Sequence, residues 1–288
     1  MIVIEGYGYR VGVSAEQGGT ILFAEGTVGG RSLPIFVPLE TPEVSKNGGC
    51  FVMAPFTNRI VGGRFTFDGQ DHVFPMNRPA QDVAIHGFSR DRAWRVAAQT
   101  SERVILEDDV RQEGVPWSYA IRQEIAVTEG GLEVTLALRN LGPDRLPFGL
   151  GLHPWFPRRD RTVLTLPAEG RFSLDDRALP CLPFRPQTPD ERHRSAEDWI
   201  GVDEAMVDAD AATIVWPDQG ARLEMSASGA FRHMHLFVPA AREVFCIEPV
   251  SHLPDAVNRP EVARKGAMTP LAPNETMQGT ATFRLHDI

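Results

Sequence analysis

The chain has 288 residues, 42% hydrophobic and 23% charged, a balance that excludes disordered, collagenous and coiled-coil classes. A formal charge of −9 and a pI near 5.4 argue against a nucleic-acid partner, because that affinity rests on Lys and Arg neutralising phosphates. The opening residues, Met1-Ile2-Val3-Ile4-Glu5-Gly6, hold neither a basic segment nor a long apolar one, so no export or membrane insertion is signalled and a cytoplasmic location is expected.

Taken in order, the segments 64–67 and 71–74 alternate in polarity around Asp68-Gly69, a dipeptide suited to the positive φ values of a tight hairpin turn. An extended run at 103–106 precedes a second hairpin, 119–127 and 132–138, around Glu129-Gly130-Gly131. Further strands are predicted over 162–166, 212–216, 222–226, 233–238, 243–247 and 280–285, each bounded by Gly, Pro, Asp or Asn. The segment 189–199 reads as helical, with Asp190 and Glu191 near its start. No linker, repeat or low-complexity tract interrupts residues 1–288, so one all-β domain is expected, a large antiparallel β-sandwich with at most short helices.

Cys50, Cys181 and Cys246 are widely spaced and form no CxxC pair, which fits buried thiols in a reduced compartment. Four segments carry candidate chemistry. In Pro55-Phe56-Thr57-Asn58-Arg59-Ile60, the Arg59 fork suits hydroxyls or carboxylates, or packs as a structural arginine. His86, in Ile85-His86-Gly87-Phe88, is a site histidine or a satisfied core one. His153 sits beside Trp155 and Phe156, whose faces stack on a sugar or simply fill a core. Glu248 ends an apolar strand, where burial raises a carboxyl pKa and suits it to proton transfer; an ion pair with Arg59 is the rival reading. There is no Walker A loop, GxGxxG, HExxH or GxSxG. His86, His153 and His252 lack metal-site spacing, so no metal is expected.

In this order the segments resemble the aldose 1-epimerase (galactose mutarotase) family, including its glucose-6-phosphate 1-epimerase-like branch. The resemblance spans most of the chain. It is carried by Asn58-Arg59-Ile60 with Gly63, Phe65, Asp68 and Gly69, by Ile85-His86-Gly87, by Gly114-Val115-Pro116, by His153, and by Glu248-Pro249 with Pro254-Asp255-Ala256-Val257-Asn258. It implies a large antiparallel β-sandwich, no cofactor, and a small-molecule sugar as partner. It also implies that Glu248 removes the C1 hydroxyl proton while His153 protonates the ring oxygen. Arg59 and His86, with Asn58 and Trp155, would contact the sugar or orient the glutamate, and Asp203 would bind it, with Glu204 and Asp208 as competitors. Gly87-Phe88 replaces the family's double glycine and Pro154-Trp155-Phe156 its usual aromatic stretch, departures that bear on the substrate more than on the reaction. Arg158 and Arg159 could meet a phosphate or lie on the surface. A glycoside hydrolase, which needs a second catalytic carboxylate, and a non-catalytic sugar-binding module are the rival functions; a monomer and a homodimer are both compatible.

Overall fold

Period-two alternation builds this molecule. In Ser118–Thr128 and Gly131–Asn140, buried side chains alternate with more exposed ones. The two strands pair from Tyr119↔Asn140 to Thr128↔Gly131, forming the expected hairpin. The computed structural model describes residues 1–40 and 47–288. In it Arg64–Phe67 also pairs with Gln70–Val73, and Asp68 and Gly69 take φ values of 48° and 76°, the left-handed turn that matches the twist of a two-residue hairpin.

Among the described residues most strands assemble into two large antiparallel sheets, of 12 and 9 strands. The centre of the first runs Cys50–Met53, Gly151–Pro154, Val244–Val250, His233–Phe237, Asp203–Val207. The second is centred on Gly131–Asn140, Thr276–Asp287 and Ala221–Gly229. Val52, Leu152, Leu236 and Ile247 of the first sheet belong to the same buried cluster as Leu106, Ile125, Val134, Leu223 and Phe283 of the second. That shared core is the interior of a β-sandwich, as expected.

Alternation then dictates what the other face of the first sheet carries. With Val52, Leu152, Leu236 and Ile247 turned inward, Phe51, His153, His235 and Glu248 must point the opposite way. The register aligns them. His153 stands opposite Phe51, and His235 opposite Glu248. The pairing Gly151↔Val250, continued two steps along antiparallel strands, sets His153 opposite Glu248. Four side chains from four neighbouring strands thus form one row.

The chain between Ala54 and Trp94 returns over this row. Arg59–Val61 pairs with Val83–Ile85, and the His86 amide donates to the Asn58 carbonyl over 2.8 Å. Where the segment passes Ala54 there is no room for a side chain: Gly87 has φ 66°, and a Cβ there would lie 1.9 Å from the Ala54 carbonyl oxygen. Gly87→Ala is therefore expected to lower stability by about 3 kcal/mol, from strained backbone and a backbone clash together. Urea unfolding checks this, and an unchanged midpoint would contradict it.

Two expectations need correcting. Residues 189–199 are not one helix but a 3-10 turn, Pro189–Glu191, then a strand, His193–Ser195, then a second 3-10 turn, Ala196–Trp199. The start signal is real: Thr188 and Glu191 form a reciprocal capping box ahead of Pro189. What fails is propagation. Without an apolar stripe the turn cannot extend, and residues 193–195 hydrogen-bond to Val163–Thr165 at the sheet edge instead. The α-helix among the described residues is Pro260–Gly266, with Pro at its start, Glu261 in the first turn and Arg264 and Lys265 in the last. Secondly, the strand bearing Glu248 does not stop at residue 247. It runs through Pro249, paired with Met234, to Val250, so Glu248 lies inside the sheet.

Candidate active site

Asn58, Arg59, His86, His153, Asp203 and Glu248 converge on one pocket of about 110 Å³, together with Ile85, His235 and Phe237. A larger hollow of about 620 Å³ crosses the outer face of the second sheet near Arg95, Glu107 and Arg122. There Arg95 and Arg122 both pair with Glu107 in contact with solvent, the ordinary state of a solvated sheet face. The smaller pocket gathers the buried titratable groups and is the better candidate.

Each side chain is held from behind. The His153 ring stacks on Phe51 at 4.4 Å and on Trp155 at 5.2 Å, and meets the edge of His86 at 5.3 Å. Its Nε2 lies 3.2 Å from Glu248 Oε1. Asn77 clamps Ile85, its amide donating to the Ile85 carbonyl and its oxygen accepting from the Ile85 amide, which steadies the strand leading to His86. The Arg59 strand is tied by Asp255, whose amide donates to the Arg59 carbonyl and whose Oδ1 accepts from the Val61 amide. Asn258 and Arg259 donate to the same carboxylate. The Pro254–Asn258 motif therefore acts on the pocket through Arg59's backbone. Arg59 Nη1 donates to Asn58 Oδ1 at 3.1 Å. Asp203 Oδ1 lies 2.5 Å from His235 Nε2.

Burial governs the electrostatics. It pushes the Glu248 carboxyl up to about 8; Asp203 adds to the rise while His235 and Arg59 oppose it. It pulls His153 down to about 3, helped by the charges of Arg90 and His235. Burial, then Arg90, holds His86 well below its ordinary range. So although His153 and Glu248 are spaced like an ion pair, burial works against both charges and favours the uncharged arrangement with the proton on Glu248. His235 and Asp203 are the reverse case. Burial works against both charges, yet their bond and mutual attraction outweigh it, raising His235 and lowering Asp203.

Glu248 Oε2, His153 Nδ1 and His86 Nδ1 are buried and unpartnered among the described residues. Each such atom costs about 1–3 kcal/mol, so the arrangement suits a polar ligand. One donor atom from each of His153, Cys246 and Glu248 lies within 4.8 Å of the others, the set among the described residues that could hold a metal ion. Burial keeps the Cys246 thiol protonated, so a cation there would have to expel protons from both thiol and carboxyl.

Of the residues picked from sequence, Trp155 is placed differently: its face is taken by His153, and it supports the pocket without lining it. Glu248's close partner is His153, while Arg59 shares the pocket at longer range. His252 is a core histidine, accepting from the Thr57 amide at 2.9 Å and donating to the Leu253 carbonyl at 2.8 Å. Glu204 is bound to Arg171 and Ser173, and Asp208 is half exposed beside His233; neither lines the pocket that Asp203 lines. Arg158 donates to the Arg242 carbonyl and Arg159 lies over Trp216, both away from the pocket. His235 and Phe237 are the residues that sequence reasoning missed. In His233-Met234-His235-Leu236-Phe237 the alternation itself signals one apolar face and one bearing both histidines.

This sandwich of two large antiparallel sheets is of the galactose mutarotase-like fold class. A profile of aldose 1-epimerases matches residues 14–284, and the chain belongs to the aldose 1-epimerase family. Uncharacterized protein YphB of Escherichia coli K12 is 29% identical over 264 residues, covering 88% of this chain and 89% of that protein. The structure of a GalM/aldose epimerase homologue from C. elegans shares the fold with TM-score 0.85 at 16% identity, over 100% of this chain and 98% of that one. A galactose mutarotase-like protein from Clostridium acetobutylicum does so with TM-score 0.84 at 16% identity, over 99% and 95%.

Proposed function

We propose that this protein interconverts the α and β anomers of an aldose by opening and reclosing the sugar ring, with Glu248 as base and His153 as acid. The observation that carries the reading is the 3.2 Å approach of His153 Nε2 to Glu248 Oε1 inside a buried polar pocket. The anomeric hydroxyl and the ring oxygen are bonded to the same carbon, C1. Groups that serve both must therefore be neighbours. A glycosidase instead sets two carboxyl groups roughly 5–9.5 Å apart across the bond it cleaves. Here Glu248's neighbour is an imidazole, and the second carboxylate, Asp203, is engaged with His235.

Glu248 takes the proton of the C1 hydroxyl. That O–H pair becomes the second bond of C1=O as the C1–ring oxygen bond breaks, and the ring oxygen takes the proton from His153. The open aldehyde turns about C1–C2 and recloses with both transfers reversed. One proton resides on the pair before and after; only its position changes. The open-chain state holds the uncharged arrangement that a dry pocket favours, and the closed-ring state requires the charged one.

Arg59, Asn58, His86 and Asp203 are assigned to the sugar hydroxyls, and Trp155 to fixing the His153 ring. Asp203→Asn is expected to raise KM about tenfold with a smaller effect on kcat, since a charge-assisted hydrogen bond is worth about 1.5–3 kcal/mol. With Arg158 and Arg159 elsewhere, a phosphate would find Arg59 as its guanidinium among the lining residues. That favours an unphosphorylated aldose over a hexose 6-phosphate. The chain acts, on this reading, as one catalytic unit on a free sugar.

The test is anomer exchange followed by NMR on aldoses and their 6-phosphates, in weak buffer so that spontaneous mutarotation stays low. Exchange above baseline is expected. Release of an aglycone from chromogenic glycosides at a comparable rate would support a hydrolase instead.

A further inference from the structure

His235 occupies the place across the sheet from Glu248 on the side away from His153. It is buried, 3% exposed, with Nε2 2.5 Å from Asp203 Oδ1. Glu248 is faced by Cys246 from its own strand, His153 from Gly151–Pro154, His235 from His233–Phe237, Asp203 from the next strand, and Arg59 and His86 from the covering segment. Arg90 stands farther back, its guanidinium 5.0 Å from the centre of the Phe51 ring that stacks on His153. Of these groups, burial disfavours a charge on His153 and His86, and Asp203 repels a charge on Glu248. The cations that favour a Glu248 carboxylate are His235 and Arg59.

We propose that His235 is a positioning residue of the site: an imidazolium clamped to Asp203, it keeps that carboxylate ionised toward the sugar and offsets the charge on Glu248 whenever Glu248 acts as a base. The inference rests on the anomer-exchange reading. Two carboxylates brought to one dry pocket repel, and a cation between them lowers the cost of ionising the second. His235 is the titratable group that touches Asp203 and lies opposite Glu248 in the ladder. Its role is indirect, since it acts through the two carboxylates and transfers no proton in the reaction.

His235→Gln retains an N–H for Asp203 and removes the charge. It is expected to lower kcat about tenfold, a 1.36 kcal/mol change in barrier, with KM altered by less than about threefold. The alkaline limb of kcat/KM should move to higher pH, because the cation favouring ionised Glu248 is gone. A merely structural histidine would lower the melting temperature and leave that limb in place, and such a result overturns the proposal. Should the variant not fold, NMR of the His235 ring in the wild-type protein decides. An imidazolium persisting at pH 7 supports the proposal, and a neutral ring there overturns it. Failure of the underlying reading is separately visible, because a wild-type protein that does not accelerate anomer exchange removes the catalysis whatever the charge on His235.

Discussion

Glu248→Gln is expected to slow anomer exchange by about 10²–10⁴-fold, the range a positioned acid–base group supplies, with little change in KM. The amide keeps the size of the side chain and its place in the sheet and removes the base. His153→Asn should fall in the same range, and the double variant should be little worse than either single one, because the two groups handle one proton between them. Stability should move the other way. At pH 7 the folded protein holds on Glu248 a proton that an ordinary carboxyl would have lost, so the wild-type group opposes folding. Removing it is expected to stabilise the protein by about 1–3 kcal/mol, read as a higher melting temperature. Loss of both activity and stability would mean that Glu248 is a structural anchor.

The second large effect is on pH dependence. With His153 lowered to about 3 and Glu248 raised to about 8, the pair carries a single proton between those values. Because the groups interact, these limits belong to the pair. The kcat/KM should be flat from about pH 5 to about 7.5 and fall about tenfold per pH unit above about 8, as that proton is lost. A rise with an apparent pKa near 6 would mean that His153 titrates independently. Stability follows from the same shifts with the sign worked out window by window. In the unfolded chain the groups titrate at their ordinary 4.5 and 6.5. Between those two values folded and unfolded chains each hold one proton, so the pair contributes no slope. Between 6.5 and about 8 only the folded chain holds the proton, and stability falls as pH rises. Between about 3 and 4.5 the unfolded chain holds one more, and stability rises with pH. Melting temperatures measured across pH 4–9 check the three windows.

Much of the fold was readable because its signals are local. Asp68-Gly69 marked one hairpin and the alternation of 119–138 the other, and both appear in register. The failures were also local in cause. Thr188, Pro189 and Glu191 made a true helix start that had no apolar stripe to extend it. Pro249 looked like a strand end, yet the strand continues past it. At the pocket, the ordered motifs pointed to Asn58, Arg59, His86, His153, Asp203 and Glu248, which do line one pocket. What could not be read was the row itself. Phe51, His153 and the His235–Glu248 pair meet only because strands from three distant stretches of the chain pair in one register, and no periodicity within a strand reports that. Trp155 was open between stacking on a sugar and filling a core, and the His153 ring two residues before it covers its face. His235 was hidden for a simpler reason: its run was read for strand period and not for which residues that period puts on the polar face.

The central claim is that C1 parts from the ring oxygen and not from its hydroxyl. The most direct measurement follows an aldose labelled with ¹⁸O at the C1 hydroxyl, dissolved as one anomer in ordinary water with the protein, by NMR. The account predicts that the anomers equilibrate at the accelerated rate while the label stays on C1, lost only at the spontaneous rate of the protein-free control. Label lost in step with anomer exchange, or exchange no faster than the control, would contradict it.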